Sequence, residues 1–252
     1  MRGSRRVQLY ALAVLAVLAV WTLLTSTAWV QPLLLPTPAS TGTALWQVLE
    51  GGTITWEPVT ATLAETGAAF ALAVVVAVPL GVVAGSVTLL YRAYEPVLTG
   101  LSALPLVVLY PVLAATLGIG SGSKIALGGL YAFFPVAIAT IRATASVDPR
   151  LTAAARATGA GRVQQLRSVV LPDVLSPVLA SLRVGLGLAL VTVIAGEFIS
   201  GAQGLGYELG RSSQMLDTPT LFAWILIACA LTALVNVVFS LSSIIVRKGV
   251  HR

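Results

Sequence analysis

A chain of 252 residues that is 57% hydrophobic, 10% charged and of mean hydropathy +0.95 is not built to face water. Soluble domains carry about 25% charged residues, so lipid is the solvent for most of this surface. The lone cysteine, Cys229, and lone histidine, His251, exclude an internal disulfide and a cysteine- or histidine-rich metal site.

Arg2, Arg5 and Arg6 precede an apolar run from about Leu9 to Val30. Secretory h-regions are about 7–15 residues long and a membrane span about 20, and Thr25–Ala28 is a poor cleavage context, so this run is expected to stay as a first span. Gln31–Glu57 holds Pro32, Pro36 and Pro38 and reads as an extracytoplasmic connection, with a short interfacial helix around Ala44–Leu49 anchored by Trp46 and Trp56. A second span covers roughly Val59–Leu90, where Gly81 and Gly85 make a small face for close helix packing. Tyr91–Pro96 reads as a short cytoplasmic turn. The third span, Val97–Leu117, is broken by Pro105 and Pro111, which protein or a water-filled path must cover. After an outer turn at Gly118–Ser123, the fourth span is Lys124–Ile141.

The one long polar interruption is Pro149–Pro172. It carries Arg150, Arg156, Arg162 and Arg167, with Asp148 just before it. Its two helical halves meet at Gly159-Ala160-Gly161, where glycine frees the backbone to turn. Leu171-Pro172 closes the segment, and Pro172 is expected to hold Leu171 out of the helical region and so to fix the angle of the next helix. A fifth span, Val174–Ile199, has Glu197 near its outer end. Gly201–Pro219 reads as a loop that dips back or lies along the interface, and the sixth span is Leu221–Val246.

With both termini in the cytoplasm, 13 of the 15 basic residues fall on that side, all but Lys124 and Arg211, which is the bias that sets membrane orientation. Energy-harvesting chemistry is missing. Gly118–Lys124 has its glycines and lysine in the wrong order for a phosphate loop, and Gly204–Gly210 follows no strand as a dinucleotide fingerprint must. Embedded polar groups are few. Glu65 and Glu197 are the carboxylates, Glu197 reading either as a structural group that pairs inside the re-entrant loop, for example with Arg211, or as a lining residue. Asn236 reads as glue between helices.

The elbow resembles the cytoplasmic EAA loop of ATP-binding-cassette importer permeases, patterned E-A-A, three residues, G, nine residues, I-x-L-P. Ala154 and Ala155 match the alanines, Gly159 the glycine, Val169 the isoleucine and Leu171-Pro172 the ending; Ala153 stands where the family has glutamate. Leu104-Pro105, Phe134-Pro135, Asp148-Pro149, Leu182-Arg183, Gly196-Glu197 and Gly204–Tyr207 extend the likeness over roughly Val59–Tyr207, toward the nitrate/sulfonate/taurine-type branch.

The resemblance implies an all-α polytopic protein of the type I importer kind, with six transmembrane helices and both termini cytoplasmic, in a bacterial or archaeal plasma (inner) membrane. Residues 1–58 form the first helix and its extracytoplasmic connection, and residues 59–252 a five-helix core with a coupling loop at about 145–172. The implied partners are an ATPase dimer that binds ATP and Mg, a second permease copy or homologue, an extracytoplasmic substrate-binding protein and membrane lipid, with no nucleic acid. The chain itself is then neither an enzyme nor a cofactor carrier. Arg150, Ala153, Ala154, Ala155, Arg156, Gly159, Arg162, Val169, Leu171 and Pro172 are the expected coupling residues. Tyr110, Thr192 and Glu197, polar residues beside prolines or near the re-entrant loop, are the candidate path residues. The branch's solutes are small and often anionic or heteroaromatic. Because no cluster of cations lies within the spans, a neutral or zwitterionic solute is expected. A stand-alone secondary transporter is the other functional reading, although no internal inverted repeat is visible.

Overall fold

A computed structural model describes residues 2–27, 30–31, 33–51 and 53–250, with the side chains of residues 2–7, 10–11, 53–55 and 244–250 not described. The expectations about the basic side chains at both ends of the chain, and about the cleavage context at Ala28, lie outside the described residues. Among the described residues the chain is helical throughout, with no strand.

The first helices are α1 (Arg2–Ser26) and α2 (Pro38–Glu50). Thr37 caps α2 by accepting from Ser40 N at 3.1 Å, and Pro38 opens it, where a missing N–H costs nothing. Helix α2 is longer than the short helix expected around Ala44–Leu49, and Trp46 within it and Trp56 beyond it are both exposed. Trp21 Nε1 of α1 donates to Pro36 O at 2.9 Å and ties the first helix to the connection.

Helix α3 (Thr53–Ser86) is followed after one residue by α4 (Thr88–Ser102). The helix is interrupted at Val87, whose backbone is extended (φ −121°, ψ 113°), and Tyr91–Pro96 is helical instead of forming the expected turn. Pro96 lies inside α4 without ending it. A 3₁₀ turn, Leu106–Leu109, leads into α5 (Tyr110–Leu117). Between α4 and the Leu106–Leu117 segment the axis bends by 81°. Pro105 makes the break and Pro111 begins α5 harmlessly in its first turn. The exposed Val107 N–H donates to Tyr131 Oη at 3.1 Å, the kind of repair that permits broken helix at membrane depth.

Helix α6 (Ser121–Ala145) packs most extensively, against α3 on one side and α9 (Leu171–Ser200) on the other. Gly85 shows why α3 and α6 approach so closely: a Cβ there would lie 2.5 Å from Ile141 O and from Thr144 Cβ. The small-residue face expected at Gly81 and Gly85 is therefore the α3–α6 seam. Ala69, Ala73, Ala132, Ala189 and Val193 fill the centre where α3, α6 and α9 meet.

Two short helices, α7 (Pro149–Ala157) and α8 (Arg162–Gln165), form the elbow before α9; α10 (Leu205–Gln214) and α11 (Thr218–Val250) follow it. Among the described residues, four helices are long and apolar enough to cross a membrane, and five if the bent pair is one span. Helix α1 adds the shorter apolar segment Leu12–Ser26.

Candidate functional site: the cytoplasmic elbow and the outer polar cluster

The elbow is built by local chemistry. Asp148 caps α7, accepting from Arg150 N at 2.8 Å, with Pro149 in the first turn. The helix stops at Gly159, whose φ of +84° is the left-handed conformation that other residues avoid. Two hydrogen bonds complete the stop: Gly159 N donates to Arg156 O and Ala160 N to Ala155 O, both at 3.0 Å. They satisfy carbonyls that a helix end otherwise leaves open. Gln165 Nε2 donates to Ala160 O at 2.7 Å and binds the second half to the first.

Beyond the second half the structure departs from expectation. Leu171 is helical (φ −60°, ψ −42°), so Pro172 does not keep it out of the helical region. A π turn at Leu166–Val170 takes up the proline instead, with Leu171 N donating back five residues to Leu166 O. The wider turn makes room for a ring that would collide with the carbonyl four residues earlier, and it spares Pro172 the N–H it lacks. As a result α8, the π turn and α9 run as one continuous 39-residue helix, Arg162–Ser200.

The predicted coupling residues separate into two groups. Val169 packs with Val170 against Ala143, Val147, Val174 and Val178, and so seats the elbow on the ends of α6 and α9. Helix α7 buries none of its residues. Arg150, Ala153, Ala154 and Arg156 are exposed along it, Ala155 is half-buried, and Gly159, Arg162, Leu171 and Pro172 are also exposed. Sequence reasoning missed Leu151 and Val163, which are 48% and 65% exposed in this otherwise polar piece. Apolar side chains flanking a basic helix were the available signal.

At the opposite end, α3, α6, α9 and α10 converge on a buried polar cluster. Glu197 is 1% exposed, and its carboxylate accepts from Thr62 Oγ1 at 2.8 Å and from Gly206 N at 2.8 Å. Thr62 Oγ1 in turn accepts from Leu205 N at 2.9 Å. One carboxylate and one hydroxyl thus collect the N–H groups at the start of α10, where a negative charge is favoured. A Cβ at Gly206 would overlap Ile194 O, and at Gly204 (φ +100°) it would overlap the Glu197 carboxylate. The expected pairing of Glu197 with Arg211 is not made; Arg211 lies 3.7 Å from Glu208. The start of α10 is simply nearer to Glu197 than the middle is.

Lys124, expected to open the fourth span, is in the first turn of α6 and 2% exposed, with its Nζ 3.6 Å from Glu65 Oε1. Glu65 makes no hydrogen bond through either oxygen. Tyr110 is 2% exposed and its hydroxyl meets Ser200 Oγ at 2.5 Å. Thr192 is buried one turn deeper in α9. Glu197, Ser200, Tyr207 and Arg211 border a cleft of about 410 Å³; of the three candidate path residues only Glu197 lines it, Tyr110 reaching no further than the Ser200 hydroxyl and Thr192 lying away from it.

Glu197→Ala is expected to orphan two buried donors at about 1–3 kcal/mol each. The purified protein should then melt about 5–10 °C lower, and Thr62→Val should lower it by less. Melting followed by fluorescence checks this; an unshifted Glu197→Ala would show that α10 is held by packing alone.

A bundle with four or five helices apolar enough to cross a membrane, and a basic elbow at one end of it, is the architecture of a multi-pass membrane protein. The family described as the inner membrane component of binding-protein-dependent transport systems matches residues 77–251, and the chain belongs to it. It is thus a multi-pass protein of a bacterial inner membrane and a permease subunit, which is not itself an ATPase.

The chain is 32% identical to the riboflavin transport system permease protein RibX of Chloroflexus aurantiacus over 203 residues, covering 81% of this chain and 74% of that one. It is 29% identical to the taurine transport system permease protein TauC of Escherichia coli, covering 92% and 86%. The formylaminopyrimidine transport permease protein ThiX of Halalkalibacterium halodurans is also 29% identical, with 78% of each chain covered. The fold matches the methionine ABC transporter MetNI in its inward-facing conformation with a TM-score of 0.65 at 21% identity, covering 80% of this chain and 99% of that one.

Proposed function

We propose that this permease moves a small solute into the cytoplasm by alternating access, driven by an ATPase dimer that docks on α7. The solute would be of the sulfonate or taurine kind, or a heterocyclic vitamin precursor. The observation that carries the reading is that α7 is capped at both ends yet has no fully buried residue, with Arg150, Leu151, Ala153, Ala154 and Arg156 all exposed. A rigid helix with Arg150 and Arg156, the small Ala153 and Ala154 and the exposed Leu151 supplies charge, close approach and an apolar anchor for a partner surface. Relatives named for riboflavin, taurine and formylaminopyrimidine transport support the solute class. Alanine at position 153 removes one carboxylate from the docking face, and an interfacial ion pair has uncertain net value, so docking survives its loss. In this reading a binding protein delivers solute to the cleft lined by Glu197, and a second permease copy completes the path. The continuous helix from the elbow to Ser200 carries the stroke. A stand-alone secondary transporter is not favoured, because the family works with binding proteins.

Ala154→Trp places a bulky ring where close approach is needed. Its affinity for the ATPase subunit is expected to fall about tenfold or more, with membrane insertion and melting unchanged. Titration of the purified subunits reads this directly, and undiminished affinity would remove α7 from the docking surface.

A further inference from the structure

The sequence counts Arg183 among the cytoplasmic basic residues, but it lies 12 residues into α9, about 18 Å along the axis from Leu171. A span takes about 20 residues, and counting back from Ser200 places Arg183 inside the hydrocarbon region. It is exposed on its helix, and among the described residues it has neither an ion-pair nor a hydrogen-bond partner. It lines a groove of about 710 Å³ between α9 and α11, together with Ser176, Thr232, Asn236 and Ser240. Asn236 spends its amide N–H on Thr232 O of its own helix at 3.0 Å, and it faces Gly187 across the groove. Helix α11 is otherwise apolar on its outward side, with Leu234, Val237, Val238 and Leu241 all exposed.

We propose that this groove, closed by a second copy of the chain, is a water-filled wall of the inner half of the solute path, and that Arg183 draws carboxylate or sulfonate groups into it. An unpaired cation facing hydrocarbon is expensive, and such groups are found facing water-filled cavities or counter-ions. Here the cation shares its groove with four hydroxyls and an amide, set against Leu179, Val184, Leu188 and Val191 of its own helix, while lipid-compatible side chains occupy the neighbouring faces of α11. The groove is of the size that holds small ligands. It is open on one side, so within a membrane only protein can keep lipid out of it. A symmetric second copy presents the same polar face and completes the enclosure. The neutral or zwitterionic solute expected from the lack of a cation cluster within the spans gives way to one with an anionic group. The inference rests on the permease reading and names the solute chemistry for it.

The test uses the permease–ATPase complex in liposomes, with Cys229→Ala as background and a single Ser240→Cys or Thr232→Cys reporter. Two membrane-impermeant thiol reagents are applied from the ATPase side: anionic sulfonatoethyl methanethiosulfonate and cationic trimethylammonioethyl methanethiosulfonate. Each rate is divided by that reagent's rate with 2-mercaptoethanol. The anionic reagent should be favoured about tenfold, the preference should vanish with Arg183→Gln, and Arg183→Lys should restore it. Equal normalised rates in the parent would overturn the anion preference. No labelling in the groove, with a Val163→Cys control labelled in the elbow, would overturn the water-filled path and leave lipid, its phosphate included, as the occupant. Binding of the ATPase subunit is measured on the same preparations. A complex that assembles normally but fails to label sinks this inference and spares the permease reading, whereas one that does not assemble counts against both.

Discussion

Lys124→Met should destabilise the protein more than any other single change considered, and adding Glu65→Met should largely restore it. The pair is buried, at 2% and 4% exposure, and joins the first turn of α6 to the middle of α3. Its separation of 3.6 Å is an ion pair without a hydrogen bond, and neither Glu65 oxygen has any other partner. Taking the cation away leaves a carboxylate enclosed by apolar helices, with Thr66 nearby and itself unbonded. Removing one member of a buried pair costs about 3–5 kcal/mol, whereas replacing both by apolar side chains is often neutral or favourable. The single variant should therefore melt about 10 °C or more below the parent, and the double variant close to it. Thermal unfolding of the four proteins of the cycle gives the coupling between the two sites. Equal destabilisation in single and double variants would mean that the side-chain stems, and not the charges, hold α3 against α6.

Gly159→Pro is expected to leave insertion and melting intact while solute uptake falls about tenfold or more, the scale of a typical coupling free energy. Three features of the elbow make the position intolerant. Its φ of +84° is closed to proline, which needs a φ near −65°. Its N–H is spent on Arg156 O, and Ala160 follows it into a second closing bond. Disrupting that stop rotates α7 relative to α8 without touching the spans, since the elbow sits on them through Val169 and Val170. Uptake and ATP hydrolysis measured side by side in reconstituted vesicles separate the possibilities. Hydrolysis that persists without uptake is the expected pattern, and normal uptake would remove the elbow from the drive train.

Much of this architecture is legible in the residues because its chemistry is local. Asp148 followed by Pro149 announces the start of α7, and Gly159 announces its end, each through bonds within a few positions. The Gly81 and Gly85 face could be read from spacing, although its partner, α6, could not. Errors arose where a local preference yielded to the surroundings. Pro172 biases the residue before it away from helix, but a π turn absorbs the ring and Leu171 stays helical. The glycine run at Gly118–Ser123 suggests a turn, yet α6 already begins at Ser121 and carries Lys124 inward. The partners of Glu65 and Glu197 were hidden for another reason. Thr62 stands 135 positions from Glu197 in the chain, and no periodicity within one helix reports a neighbour at that remove.

The helix from Arg162 to Ser200 runs on through the π turn at Leu166–Val170 without a break. Near one tip Glu197 grips the first turn of α10, and the foot carries the elbow. On the proposed reading, a tilt imposed at the foot would swing α10 like the blade of an oar, so that the far cleft and the ATPase would keep a single rhythm.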